Sequence, residues 1–188
     1  ELHGYTGEVA YEVPAVWEAA EAVFAAHRPV LFVGGGAVLS DTAKYIREII
    51  ALTGMPSVAT LMGLGAVPAG TDGFTGMAGM HGAYASNMAI QECDLLLAVG
   101  TRFSDRVTGN TAAFAPKARI VHFDIDPAEL NKNVRADIPV IGDLRQTLPA
   151  LIDILKNGSQ EDLRTRFRSW LGDVLSMERA HPLGWKES

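Results

Sequence analysis

Short, wholly apolar runs alternate with segments of helical period along this chain, and that alternation constrains the fold more than any other feature. Val30-Leu31-Phe32-Val33 and Leu95-Leu96-Leu97-Ala98-Val99 carry no polar residue at any position. Strands of this kind are buried on both faces, as the strands of a parallel sheet are. Ser57-Val58-Ala59-Thr60, Ile120-Val121-His122-Phe123-Asp124-Ile125 and Ile138-Pro139-Val140-Ile141 read as three further strands. Pro139 lacks a ladder donor, which places the last of them at or near an edge.

Helical segments separate the strands. Pro14 opens one that carries Val16, Ala19, Ala20, Val23 and Phe24 and ends at Arg28-Pro29. Ser40 or Asp41 is expected to cap a second, through Ile46, Ile49, Ile50 and Leu52, which Gly54 and Pro56 stop. Residues 82–91 form a third, with Ala85, Met88 and Ala89 inward. Pro127 is expected to start a short helix, with Asp126 as its cap, and Gly142-Asp143 leads into a helix reaching Leu155. Residues 61–81 read as one glycine-rich loop. Leu163, Phe167, Trp170, Leu171 and Val174 keep a helical period after Asn157-Gly158-Ser159. The pattern predicts an α/β fold with a parallel sheet covered on both faces.

With 188 residues, the chain can bury one sizeable core. A net charge of −6 argues against a phosphate-backbone partner, so no nucleic acid is expected. No apolar run approaches the ~20 residues that span a bilayer, and Glu1-Leu2-His3-Gly4 has none of the marks of a secretory signal. The lone Cys93 excludes an internal disulfide and a multi-cysteine zinc site, and reads as a small buried residue before Asp94. No metal site is expected.

Ligand chemistry concentrates after the strand ends. Gly100 lets the chain turn sharply at the end of the 95–99 strand, and Thr101-Arg102-Phe103-Ser104-Asp105-Arg106 follows it. Arg102 and Arg106 offer planar, forked donors with an acid between them, where an open parallel sheet binds ligands. A solvated ion pair on a loop would carry the same residues. Gly34-Gly35-Gly36 after the first strand offers backbone N–H groups for a diphosphate, or a plain turn; Leu39 breaks the G-x-G-x-x-G spacing. Met80 and His81 in Gly79-Met80-His81-Gly82 can face a flat ligand, although His81 can equally be exposed or cap a helix. Asp124 stands where such folds place a carboxylate for ribose hydroxyls. His122 alternates inward on its strand and reads as a hydrogen-bonded core residue.

Five stretches occur in order: Leu61-Met62-Gly63-Leu64-Gly65, Gly76-Met77-Ala78-Gly79-Met80-His81-Gly82, Arg102-Phe103-Ser104-Asp105-Arg106-Val107-Thr108-Gly109, Phe114-Ala115-Pro116-Lys117-Ala118 and His122-Phe123-Asp124-Ile125-Asp126-Pro127. Together they resemble the central domain of the acetolactate synthase (acetohydroxyacid synthase) catalytic-subunit family, among the thiamine-diphosphate enzymes, from about Pro14 to Leu155. One departure is Ser104, where the family usually has Asp; serine still accepts a hydrogen bond but brings no charge.

The resemblance implies a Rossmann-like three-layer sandwich with a parallel sheet of about six strands, of which five are explicit in the sequence. It implies that residues 14–158 hold FAD in extended form; residues 1–13 lack periodicity and read as a connector, and 159–188 read as a C-terminal helix and, by the resemblance, the start of a linker to a further domain. The implied flavin contacts are Gly34, Gly35, Thr60, Leu61, Met62, Gly79, Met80, His81, Gly100, Thr101, Arg102, Arg106, Val107, Asp124, Ile125, Gly142 and Asp143. Met80, Asp105 and Arg106 are implied to border the substrate channel. Thiamine diphosphate and Mg²⁺ would belong to flanking domains: Thr71-Asp72-Gly73 is not the Gly-Asp-Gly that opens such a site. No catalytic residue is therefore expected in this chain, which would be a structural, inactive piece of an enzyme condensing two pyruvates, or pyruvate and 2-oxobutyrate, in branched-chain amino-acid synthesis. Implied partners are flanking domains of the same polypeptide, further copies and a regulatory subunit. The implied setting is the cytoplasm of a bacterium, with a plastid left open. A glyoxylate carboligase or pyruvate oxidase domain, a free-standing NAD-dependent deacylase of similar fold, against which the missing zinc cysteines count, and a ligand-free interaction module are the alternatives.

Overall fold

The computed structural model describes residues 11–158 and 162–184. Its centre is a six-stranded sheet in which every pairing is parallel. In chain order the elements are α1 (Val13–Ala25), β1 (Pro29–Val33), α2 (Gly35–Leu39), α3 (Ala43–Thr53), β2 (Ser57–Ala59), β3 (Phe74–Met77), α4 (Tyr84–Glu92), β4 (Leu95–Val99), α5 (Asp105–Thr108), β5 (Arg119–Asp124), β6 (Ile138–Ile141), α6 (Leu144–Gly158) and α7 (Leu163–Ala180). The strand order is β3-β2-β1-β4-β5-β6.

The two faces of the sheet are covered by different helices. Leu31, Val33, Leu95, Leu97, Val99, Val121 and Phe123 face one core, with Val16 and Val23 of α1, Ile46 and Ile49 of α3, and Leu148 and Leu151 of α6. Val30, Phe32, Leu96, Ala98 and Ile120 face the other, with Ala89 and Ile90 of α4 and Trp170 and Val174 of α7. This period-two division explains why β1 and β4 need an apolar residue at every position. Trp170 satisfies its indole N–H on the Pro29 carbonyl at 3.0 Å, so α7 is tied to the start of β1 across 141 residues.

The expected edge position of the 138–141 strand holds: among the described residues β6 pairs only with β5, and Pro139 is exposed. Cys93 is fully buried as expected, its thiol donating to the Ile90 carbonyl. Four expectations need correction. The sixth strand, β3, lies inside the stretch read as a loop; Thr71, Gly73 and Gly76 around it hide a strand only four residues long. A five-residue helix, α2, starts inside the glycine triplet, at Gly35, where only a turn was expected. Neither Ser40 nor Asp41 caps α3: Thr42 precedes it, Ser40 Oγ donates instead to Gly36 O, and Asp41 takes a left-handed φ of 56°. Pro127 starts turns rather than a helix, and Asp126 accepts the Ala128 N–H within them. Residues 1–10, 159–161 and 185–188, which include most of the expected connector and the last part of the expected linker, lie outside the described residues.

Candidate functional site

Parallel strands bring their carboxyl ends to one edge, and all the candidate residues stand there. Gly34 and Gly35 follow β1, Thr60 to Met62 follow β2, and Gly79 to His81 follow β3. Gly100 to Arg102 follow β4, with Asp105, Arg106 and Val107 on α5 just beyond. Asp124 ends β5 and Ile125 follows it, and Gly142 and Asp143 follow β6. Residues scattered over more than a hundred positions thus form one line. Its two ends, after β3 and β6, are separated by five strand spacings, or about 24 Å.

The centre of the line lies between β1 and β4, where chain connections leave in opposite directions and an open α/β sheet has its crevice. Here two turns interlock through glycine. Gly34 N–H donates to Val99 O at 2.8 Å and Gly36 N–H to Gly100 O at 2.9 Å. A Cβ on Gly34 would stand 2.1 Å from the Gly100 carbonyl oxygen, and Gly100 itself takes a φ of +59°. Of the two readings of the triplet, the turn accounts for two of its N–H groups, those of Gly34 and Gly36, which bond to the end of β4 and the turn after it.

The remaining turns are tied to one another. Thr60 Oγ1 accepts Gly63 N–H and closes the one-turn 3-10 helix of Leu61–Gly63, leaving Leu61 and Met62 largely exposed. Met80 N–H donates to Arg106 O at 3.0 Å, which fastens the β3 turn to α5. An open cavity of about 320 Å³ lies behind that junction, lined in part by Met80, Asn87, Asp105, Arg106 and Phe114. Met80 is 65% exposed, and His81 is exposed without capping α4, whose N-cap is Ala83. Asp105 and Arg106 sit on a helical turn, not an extended segment, with their charged groups 4.0 Å apart and both side chains open to solvent.

Further in, the side chains are buried. His122 is fully buried; its Nε2 lies 2.8 Å from the Thr101 carbonyl, and its ring stacks edge-on to Phe103 at 4.8 Å. Burial pushes the imidazole pKa down, against the opposing pull of Asp124 at 3.8 Å, so the ring is held neutral. Burial likewise raises the Asp124 carboxyl above its ordinary value, partly offset by the Asp126 N–H that it accepts. Asp143 is the opposite case: Arg145 donates to its carboxylate and holds it below the ordinary value. That carboxylate also accepts Arg145 N–H at the start of α6, so much of its hydrogen-bonding capacity is used within its own helix.

Two contributors were not legible in the sequence. Asn87 clamps the Gly79 peptide from both sides, its Oδ1 accepting Gly79 N–H at 2.8 Å and its Nδ2 donating to Gly79 O at 3.0 Å. Phe103 is buried with a φ of 48°, turning the chain so that Arg102 and Ser104 face outward. An asparagine within a helix was the only available signal for the first. For the second there was none. Among the described residues no group of His, Cys, Asp or Glu could hold a metal ion.

Topology and the crevice between β1 and β4 define an open α/β domain with a parallel sheet covered on both faces. Comparison with known proteins makes the class specific. The family described as thiamine pyrophosphate enzyme, central domain, matches residues 16–151. The acetolactate synthase isozyme 2 large subunit of Escherichia coli is 49% identical over 144 residues, covering 77% of this chain and 26% of that protein. The acetolactate synthase large subunit IlvB1 of Mycobacterium tuberculosis is 46% identical over 157 residues, covering 84% and 25%. A probable acetolactate synthase large subunit of Methanocaldococcus jannaschii is 40% identical over 179 residues, covering 95% and 30%. This chain belongs to the central-domain family of the thiamine pyrophosphate enzymes. It spans under a third of the length of these relatives.

Proposed function

We propose that this chain is the FAD-holding scaffold of an acetolactate synthase large subunit. The observation that carries the reading is the carboxyl edge itself. An interlocked crevice at its centre is flanked by two solvent-facing guanidiniums, Arg102 and Arg106, and by exposed apolar side chains, Leu61, Met62, Met80 and Ile125. Such a line suits a long ligand with an anionic middle and a flat apolar end. The residues present therefore fit a flavin dinucleotide.

In this reading Arg102 and Arg106 neutralise the diphosphate, each able to grip two oxygens at once. Asp124, at the end of β5, accepts from ribose hydroxyls. Met62 and Met80 pack on the ring system, where flexible thioethers adapt to a flat surface. Gly142 and Asp143 close the far end. When bound, the flavin supplies a rigid prosthetic surface, with no net redox role in the main reaction. Met80, Asp105 and Arg106 border the path by which substrate reaches the reacting centre.

The reaction we assign to the longer protein joins two pyruvates, or pyruvate and 2-oxobutyrate, with loss of carbon dioxide, for branched-chain amino-acid synthesis. Thiamine diphosphate and Mg²⁺ would supply that chemistry from domains outside this chain. The chain by itself is inactive. Its partners are those flanking domains, further copies of the subunit and a regulatory subunit, in the cytoplasm. Among the described residues no helix is long and apolar enough to cross a membrane.

Titration of the purified 188-residue chain with FAD, followed by quenching of flavin fluorescence, tests the scaffold. Weak, saturable binding is expected, because walls for the ring come from elsewhere in the protein. No saturation would overturn the cofactor assignment, and nanomolar affinity would overturn the shared pocket. A colorimetric acetoin assay with pyruvate, thiamine diphosphate and Mg²⁺ should give no product above a heat-killed control.

A further inference from the structure

His122 occupies a position that an apolar side chain could fill. It is fully buried on β5, and the next residue on the same face of that strand is Ile120. Among the described residues its Nδ1 has no hydrogen-bond partner, which makes the histidine costly there. What it provides in return lies at the other ring nitrogen. Nε2 meets the Thr101 carbonyl at 2.8 Å, across 21 residues of sequence, and stands 3.8 Å from Asp124 Oδ2. The Thr101 carbonyl belongs to the turn whose Gly100 oxygen accepts Gly36 N–H and whose next residues are Arg102 and Phe103. Thr101 is itself buried, so its carbonyl needs a partner within the protein.

We propose that His122 is a positioning residue: as the Nε2–H tautomer it donates to the Thr101 carbonyl and so sets the turn that presents Arg102 and Arg106 to an anionic ligand. The Phe103 ring, edge-on to the imidazole, fixes the ring plane that this bond requires. His122 thereby joins two strand ends, β4 through Thr101 and β5 through Asp124. The ligand part of the inference rests on the reading of the edge as a dinucleotide site; the turn-setting part does not.

The 188-residue chain labelled with ¹⁵N tests both parts. Long-range nitrogen–proton correlation at pH 7.5 should show His122 protonated at Nε2 alone; protonation at Nδ1 alone would overturn the proposal. Hydrogen exchange is then read at the Gly36 and Gly100 amides, whose bonds end on or begin in this turn, against Leu96 and Leu97 in β4. His122→Leu should speed the first pair about tenfold and leave the second unchanged. His122→Gln, which keeps a donor at nearly the same reach, should restore protection. Equal exchange in the Leu variant and the unchanged chain, or equal loss in the Gln and Leu variants, would refute the positioning role. Should the Leu variant fail to fold, His122→Asn takes its place with the same two outcomes, being too short to reach Thr101. FAD titration of the same samples should show about tenfold weaker binding for the Leu variant and near-parental binding for the Gln variant. If the unchanged chain binds no FAD, the cofactor reading fails while the exchange data still decide the turn.

Discussion

Placing one methyl group on Gly34 tests the interlock at the centre of the sheet edge. In Gly34→Ala the new Cβ would lie 2.1 Å from the Gly100 carbonyl oxygen, 2.5 Å from its carbon and 2.6 Å from Thr101 Cα. Ordinary contact begins near 3.4 Å, so the two turns must part by about 1.3 Å at the closest point (3.4 less 2.1). All three neighbours are backbone, so no side chain can swing aside. Overpacking a dense site costs about 1–3 kcal/mol. Separation also strains the Gly34–Val99 and Gly36–Gly100 hydrogen bonds, each worth about 1 kcal/mol net. The expected loss is about 4 kcal/mol. With a urea slope near 2 kcal/mol/M, the unfolding midpoint falls by about 2 M. Gly172→Ala is the control. It sits on the exposed side of α7 with nothing within 4 Å of its would-be Cβ, so alanine should stabilise by about 0.5–1 kcal/mol. Urea titrations followed by far-ultraviolet circular dichroism measure both. If Gly34→Ala unfolds within 0.5 M of the unchanged chain, the interlock is not what holds these turns, and the reasoning fails.

Asn87→Ala removes both bonds to the Gly79 peptide and should cost about 2 kcal/mol in the same titration, with faster exchange at the Met80 amide. Arg106→Ala should leave the melting temperature nearly unchanged, because the side chain is 77% exposed, while weakening FAD binding in the fluorescence titration. Burial raises the Cys93 thiol to about 12, so at pH 8 only about one thiol in ten thousand is ionised, and iodoacetamide labelling should follow global unfolding. His122 has a lowered folded pKa, so the unfolded chain takes up its proton first and stability falls as pH drops below about 6.5. Asp124, raised in the folded state, works in the opposite sense nearer its ordinary value. Denaturant titrations from pH 7.5 to 5.5 should show a slope that His122→Leu diminishes, with Asp124 and Glu129 the charges acting on the ring.

Much of the architecture was legible because burial on both faces writes itself into a strand. Five apolar runs became β1, β2, β4, β5 and β6, and the fully apolar pair took the two central places. β3 escaped because an edge strand of four residues needs little apolar pattern, and its Gly76 sits at a φ of +87°. The resemblance supplied the full set of candidate residues; what the strand pattern itself showed is that Gly34, Gly100 and Asp124 stand at strand ends, and parallel strands share one direction. The partnering of polar groups was another matter. Asp126 caps a turn, Thr42 stands where Ser40 or Asp41 was expected, and two N–H groups of the glycine triplet turn toward the neighbouring loop.

By itself, then, the sequence determined the layers, the direction of the strands and hence the edge at which the candidate residues gather, since these follow from local period and from burial that each segment records separately. Only the tertiary structure decided that Gly34 faces Gly100, that Asn87 grips Gly79 and that His122 holds Thr101. The physical reason is that each such contact is a property of two segments at once. A glycine is the same residue in an open turn and against another backbone, and a histidine carries the same atoms whether its partner is water or a carbonyl twenty-one positions away. The strand order β3-β2-β1-β4-β5-β6 brings those segments together, and no local stretch of chain contains that order.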